Sequence, residues 1–179
     1  MLIKNTANRF GLIAILLHWI MALLLIGLVA IGFYMTYIPI SLEKLKYYGW
    51  HKEFGILALM LVIVRLSWRL GNITPSLSNL QTWERLLARA AHYGFYFFMF
   101  ALPISGWLLT SAADLPVSFF AWFTLPNLVS ASEPNRLLFT EIHEWLAYGL
   151  IATFCLHVAG AMKHFIIDRD DILQRILKP

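Results

Sequence analysis

An all-α integral membrane fold, a four-transmembrane-helix bundle with both termini cytoplasmic, is what this sequence predicts, and three observations carry that expectation. Of its 179 residues, 60% are hydrophobic, 15% aromatic and only 13% charged, which lies outside the range of soluble domains. The apolar residues gather into four runs, each long enough for the roughly 20 residues that cross a hydrocarbon core. Lysine and arginine fall unequally on the two sides those runs define. Ten lie on the side holding both termini (Lys4, Arg9, Arg65, Arg69, Arg85, Arg89, Lys163, Arg169, Arg175, Lys178) against four (Lys44, Lys46, Lys52, Arg136) on the other, and cytoplasmic faces carry such an excess. Acidic residues lean the opposite way, so the outer face is net −2 and the inner face +6.

The first run spans Phe10 to Tyr37. Basic residues precede it as in a secretory signal, but it is too long and lacks a small-residue cleavage site, so it reads as a retained span. The second runs from Tyr48 to Leu70, the third from Ala88 to Ser111 and the fourth from Thr140 to Ile167. Pro103 and Gly106 interrupt the third, predicting a kink that opens space beside a cofactor or neighbouring helix. No alternating pattern of about ten residues suggests a barrel. The links Ile38 to Tyr47 and Gly71 to Thr82 are short, the latter turn-rich through ITPSLSN. The outer link from Ala112 to Phe139 holds the aromatic, proline-bounded SFFAWFTLPN, which is either an interfacial cap of amphipathic rings or a docking surface. With no internal repeat, residues 1–179 are expected to form a single transmembrane domain.

A net charge of +4 is too small to point to nucleic acid, and the partner it implies is membrane lipid. One cysteine, Cys155, excludes an internal disulfide. No CxxC or CxxCH is present, so any haem must be held noncovalently.

Six histidines in so apolar a chain call for partners, because ionisable groups inside a span are costly and face a protein interior or a cofactor. His143 and His157 lie 14 residues apart on the fourth run, close to four helical turns, about 21 Å of rise with about 40° of angular offset. One helix therefore presents an imidazole near each end of one face. His18 lies about 13 Å inside Arg9, and His157 about 9 Å before Lys163, at comparable depth on the inner side. His51 and His143 open their spans at comparable depth on the outer side. The pairs His18 with His157 and His51 with His143 follow, stacked across the bilayer. Two axial imidazoles per iron is the ligand set of an electron-transfer haem. Zinc fits less well, since each level lacks a converging cysteine or carboxylate to complete a tetrahedron.

Other residues support this expectation while leaving choices open. Gly55, Gly160 and Gly27 lie on the histidine-bearing runs, where a missing side chain admits either a porphyrin or a neighbouring helix. Arg65 lies 14 residues after His51, placed to clamp a haem propionate or to snorkel with Arg69 to lipid phosphates. His92 and His164, at the inner ends of their spans, are candidates for proton exchange with a quinone headgroup, or plain interfacial histidines.

Taken in order, these motifs resemble the prokaryotic cytochrome b561 family of inner-membrane dihaem cytochromes. The resemblance covers nearly the whole chain: R-x8-HW at Arg9, His18 and Trp19; H-K-x-x-G at His51 to Gly55; R-x-x-W-R at Arg65 to Arg69; and A-x-x-x-H at Ala88 to His92. It continues through ALPISGW, the H-E-W at His143 to Trp145 and the LH-x5-KHF-x-x-D of Leu156 to Asp168. It implies two haem b groups, with His18, His51, His143 and His157 as axial ligands, and a multi-pass protein of the bacterial inner membrane. The activity it implies is electron transfer between a periplasmic donor and membrane quinone, with ubiquinone the expected acceptor. Some members are similar to superoxide:ubiquinone oxidoreductases of the respiratory membrane, and others resemble redox partners of periplasmic isoprenoid-binding proteins. The net acidic outer face opposes an anionic donor such as superoxide unless Lys44, Lys46 and Lys52 form a local funnel. The alternative function is a membrane anchor and electron conduit for a partner dehydrogenase or periplasmic protein.

Overall fold

A computed structural model describes residues 2–76 and 80–178. Four long helices dominate: α1 (Leu12–Tyr37), α2 (Leu42–Leu70), α3 (Thr82–Ala112) and α4 (Glu133–Lys163). α4 runs on into one turn of π-helix, His164–Asp168, and a last helix, α5 (Gln174–Leu177), follows. Between α3 and α4 lies an antiparallel hairpin, β1 (Val117–Phe119) and β2 (Phe123–Leu125), with Ser118 opposite Thr124.

Three helical stretches are long and apolar enough to cross a membrane: α1, α3 and the run Glu133–Asp168. α2 is long enough at 29 residues, but charges at Glu53 and Arg65 leave only 54–64 uncharged between them. Its candidacy as a span therefore rests on where those charges point.

α2, α3 and α4 begin earlier than their apolar runs, whereas α1 begins two residues later than Phe10, at Leu12. The Ser41 hydroxyl accepts from the Lys44 amide at 3.1 Å, so α2 opens six residues before Tyr48. Gln81 and Glu84 form a reciprocal capping box that starts α3 six residues before Ala88. Pro134 in the first turn, where a missing amide costs nothing, lets α4 start before Thr140. The α1–α2 link is correspondingly shorter than expected, and residues 77–79 of the expected α2–α3 link lie outside the described residues. α3 passes through Pro103 as one continuous helix.

α1 packs on α2, α2 on α3 and α3 most extensively on α4. Met21, Ala58, Val62 and Met99 form the buried centre of the first three, flanked by Leu25, Leu28 and Phe95. At Gly149 the α3–α4 approach is so close that a Cβ would lie 2.6 Å from Phe98 Cζ. The backbone of α4 stands off from α1 and α2, leaving a cleft between them. The hairpin sits over one end of α2, with Val117 and Phe119 packed on Ile56. Its attachment is reinforced where Lys52 Nζ donates to the Pro116 carbonyl at 2.9 Å and Trp107 Nε1 donates to that of Pro126 at 3.0 Å. At the opposite end the N-terminal segment, the α2–α3 link and the C-terminal segment are tied together. Asn5 Nδ2 donates to the Ile73 carbonyl at 2.8 Å, Arg175 Nη1 to that of Ser76 at 3.1 Å and Trp19 Nε1 to that of Ile176 at 3.0 Å.

Candidate cofactor site

The cleft between α4 and the α1–α2 pair is lined by histidines at two levels. Near the hairpin end, His51 of α2 and His143 of α4 face each other with ring centroids 6.1 Å apart. Near the end holding the termini, His18 of α1 and His157 of α4 face each other at 6.3 Å. Both pairs expected from depth are thus brought together, each closed by α4.

These separations have a chemical meaning. A metal–imidazole bond is about 2.0 Å, and the ring centre lies about 1.1 Å beyond the nitrogen, so two rings sharing one ion across a line stand about 6.2 Å apart. Both couples fit that separation, as does His92 with His157 at 6.2 Å, so the matched depth on facing helices marks the couples more than the gap does. No side chain among the described residues satisfies His51 Nδ1, whose side of the ring faces Gly32 and the Leu28 carbonyl on α1.

The tautomer of His143 follows from its neighbours. Ser105 Oγ lies 2.9 Å from the Leu102 carbonyl and 2.9 Å from His143 Nδ1. A hydroxyl has one proton, which goes to the carbonyl because that oxygen cannot donate. His143 Nδ1 therefore carries the ring proton and Nε2 keeps a free lone pair. At the other level Arg65 Nη2 donates to His18 Nδ1 at 3.1 Å, which leaves that ring's proton on Nε2, so a metal could take His18 only once the guanidinium has turned away. Of its two expected roles, the arginine thus turns inward to the histidine level, which removes a charge from the lipid side of α2.

Small residues shape the ring slots. A Cβ at Gly32 would stand 3.4 Å from His51 Cε1, and one at Gly106 would stand 3.2 Å from His143 Cε1. Nothing lies within 4 Å of a Cβ built at Gly27, Gly55 or Gly160, so these glycines face open space and do not serve as helix-packing contacts. Ser105 and Gly32 did not stand out in the sequence, whereas Gly106 did, as a break opening space in the third run. A signal was nonetheless present, because each long helix carries one pair of residues 14 positions apart: His18 and Gly32, His51 and Arg65, His92 and Gly106, His143 and His157. The first or second member of each pair contributes to one level and its mate to the other.

His92 and His164 go to different places. The His92 ring lies 6.2 Å from that of His157, inside the inner cluster. His164 belongs to a polar knot at the membrane end of α4, with Nδ1 2.8 Å from Asp170 and 3.0 Å from Asp168. Lys163 Nζ bridges Glu84 at 2.5 Å and Asp168 at 2.6 Å, and its charge lies 5.6 Å over the Trp83 ring. Glu84, His164 and Asp168 have ligand atoms close enough to hold a metal, but the Lys163 ammonium already occupies the space between the two carboxylates and pairs with both.

Comparison with known proteins points to the same chemistry. A family profile described as prokaryotic cytochrome b561 matches residues 9–179. The cytochrome b561 homolog 2 of Escherichia coli (strain K12) is 35% identical over 182 residues, covering 97% of this chain and 93% of its own.

Proposed function

The chain belongs to the prokaryotic cytochrome b561 family, membrane b-type cytochromes of electron transfer, and from that premise we propose that it holds two haem b groups and passes single electrons between a periplasmic donor and membrane quinone. The observation that carries this reading is the pair of imidazole couples at 6.1 and 6.3 Å, one at each end of the α4 cleft. His51 and His143 would hold the outer haem and His18 and His157 the inner one, with Gly55 leaving room for the porphyrin. A haem held there would supply reversible one-electron chemistry.

The chain's own residues do the rest. The cleft walls exclude water, and α4 holds both couples on one rigid rod, about 21 Å apart along its axis. Arg65 supplies the cation beside His18 that a haem propionate needs. α2, with Arg65 turned inward, completes a bundle of four spans in the inner membrane with both termini in the cytoplasm, as the Lys and Arg bias supports. Ubiquinone is the acceptor at the inner level, near His92 and the His164 knot. Superoxide is the anionic candidate for the donor, served by Lys44, Lys46 and Lys52 at the start of α2. Two of those lysines are engaged, Lys44 Nζ with the Ile38 carbonyl at 3.0 Å and Lys52 Nζ with that of Pro116.

The test is a reduced-minus-oxidised spectrum of the purified chain with haem quantified. Two haems per chain are expected, and one in each of His18→Ala and His51→Ala. A variant that kept both haems six-coordinate would overturn the pairing.

One observation favours a second reading, a conduit for a periplasmic partner: the hairpin tip presents Trp122 at 80% exposure beside exposed Phe123. Replacing both with serine would then abolish partner capture and leave quinol reduction of the haems intact.

A further inference from the structure

We propose that Ser105 is a positioning residue for His143: its hydroxyl selects the Nδ1–H tautomer, frees Nε2 for the iron and strengthens the ring as an electron donor, so that it sets the potential of the outer haem. The proposal rests on the two-haem reading above.

The geometry is a relay of three groups. Ser105 is buried at 4% exposure, so no water competes for its hydroxyl. The hydroxyl proton goes to the Leu102 carbonyl at 2.9 Å, one turn back on α3. The lone pair left on Oγ faces His143 Nδ1 at 2.9 Å and takes the ring's proton in a hydrogen bond. The adjacent residue, Gly106, leaves the slot in which the ring stands, with 3.2 Å between His143 Cε1 and where a Cβ would be. One residue fixes the proton and the next fixes the plane.

The facing ring is treated differently. Among the described residues no side chain stands behind His51, whose hydrogen-bonding neighbour is the Leu28 backbone carbonyl. The outer couple therefore differs in what backs each imidazole, a side-chain hydroxyl behind one and a main-chain carbonyl behind the other. An acceptor at Nδ1–H raises the basicity of a metal-bound imidazole. A more basic ligand favours Fe(III) over Fe(II), so the hydroxyl lowers the midpoint potential, and its removal raises it. The competing account is that Ser105 merely satisfies itself against its own helix, as buried helical serines do. That account predicts no change in potential.

Potentiometric titration of the full-length chain in lipid nanodiscs separates the two, the outer transition being the one missing in His51→Ala. In Ser105→Ala the outer midpoint is expected to move to a more positive potential, with the inner one unmoved. Ser105→Thr, which keeps the hydroxyl, is expected to titrate like the parent. Loss of the outer haem from the alanine variant but not the threonine variant also supports the hydroxyl's role. An unchanged or more negative outer midpoint in Ser105→Ala, equal shifts in both variants, or loss of the haem from both overturns the proposal. A parent chain without a second six-coordinate haem overturns the two-haem reading instead.

Discussion

At the scale of single residues, tolerance is set by how little room the imidazole slots leave. A methyl group at Gly106 would stand 3.2 Å from His143 Cε1, tighter than ordinary contact, whereas one at Gly32 would stand 3.4 Å from His51. Gly106→Ala should therefore rotate its ring and convert part of the outer haem to a high-spin species, read in the optical spectrum. Gly32→Ala should have the smaller effect. On the two-haem reading Arg65 would turn from His18 to a propionate, and Arg65→Met, by removing a charge-assisted bond of about 1.5–3 kcal/mol, should quicken transfer of the inner haem to an apo-haem acceptor by roughly tenfold or more, with the outer haem unaffected. The four imidazoles were legible in the sequence because a polar ring in an apolar run has few explanations, and depth alone paired them. Ser105 and Gly32 were not, since a small residue carries no signature until its neighbour is known, and Gly106 was legible only because Pro103 stands beside it. The quinone candidates divided on inspection: His92 joins the inner ring cluster, and His164 an ion-paired knot.

At the scale of elements, helix identity was legible and helix starts were not. Apolar composition marks only the part of a helix that needs lipid, and the caps at Ser41, Gln81 and Ser132 lie well before it. The hairpin between α3 and α4 went unread for a different reason. Its turn places Phe120 and Ala121 at φ of 44° and 59°, the left-handed region that tight hairpins require, yet neither the glycine nor the asparagine that usually announces such a turn is present. The Trp122 amide still closes it on the Phe119 carbonyl at 2.9 Å. Left-handed backbone costs a side-chain-bearing residue about 1–2 kcal/mol, and glycine loses about 0.5–1 kcal/mol of that through chain entropy. Ala121→Gly should accordingly stabilise the hairpin by about 0.5–1 kcal/mol, seen as slower cleavage of this loop by protease. Aromatic packing on Ile56 outweighs the strain in the parent chain.

At the scale of the whole molecule, the two ends are held by different forces. The hairpin end is closed by apolar packing, and the end holding the termini by hydrogen bonds and ion pairs. There Arg175 donates to Asp171 at 2.8 Å and also to the Ser76 carbonyl, so one guanidinium fastens the C-terminal segment. The bond from Arg175 holds the Asp171 carboxyl below its ordinary value. A carboxyl depressed in the folded chain contributes stability above its unfolded value of about 3.9 and loses it as pH falls through the folded value. Protection factors for hydrogen exchange in the C-terminal segment, with the intrinsic pH dependence divided out, should therefore be constant near neutrality and fall in acid, while Asp171→Asn should flatten the profile. The spacing of 14 residues that recurs on all four long helices has a consequence for how this chain can change length. Deleting one residue between His143 and His157 would turn the inner ligand by about 100° and draw it 1.5 Å closer, so one level would keep its partner and the other would lose it. Deleting seven would nearly restore the angle but halve the rise. On the two-haem reading, changes of length are tolerated in the links and not between the two histidines of α4, and the distance an electron would cover is set by a residue count.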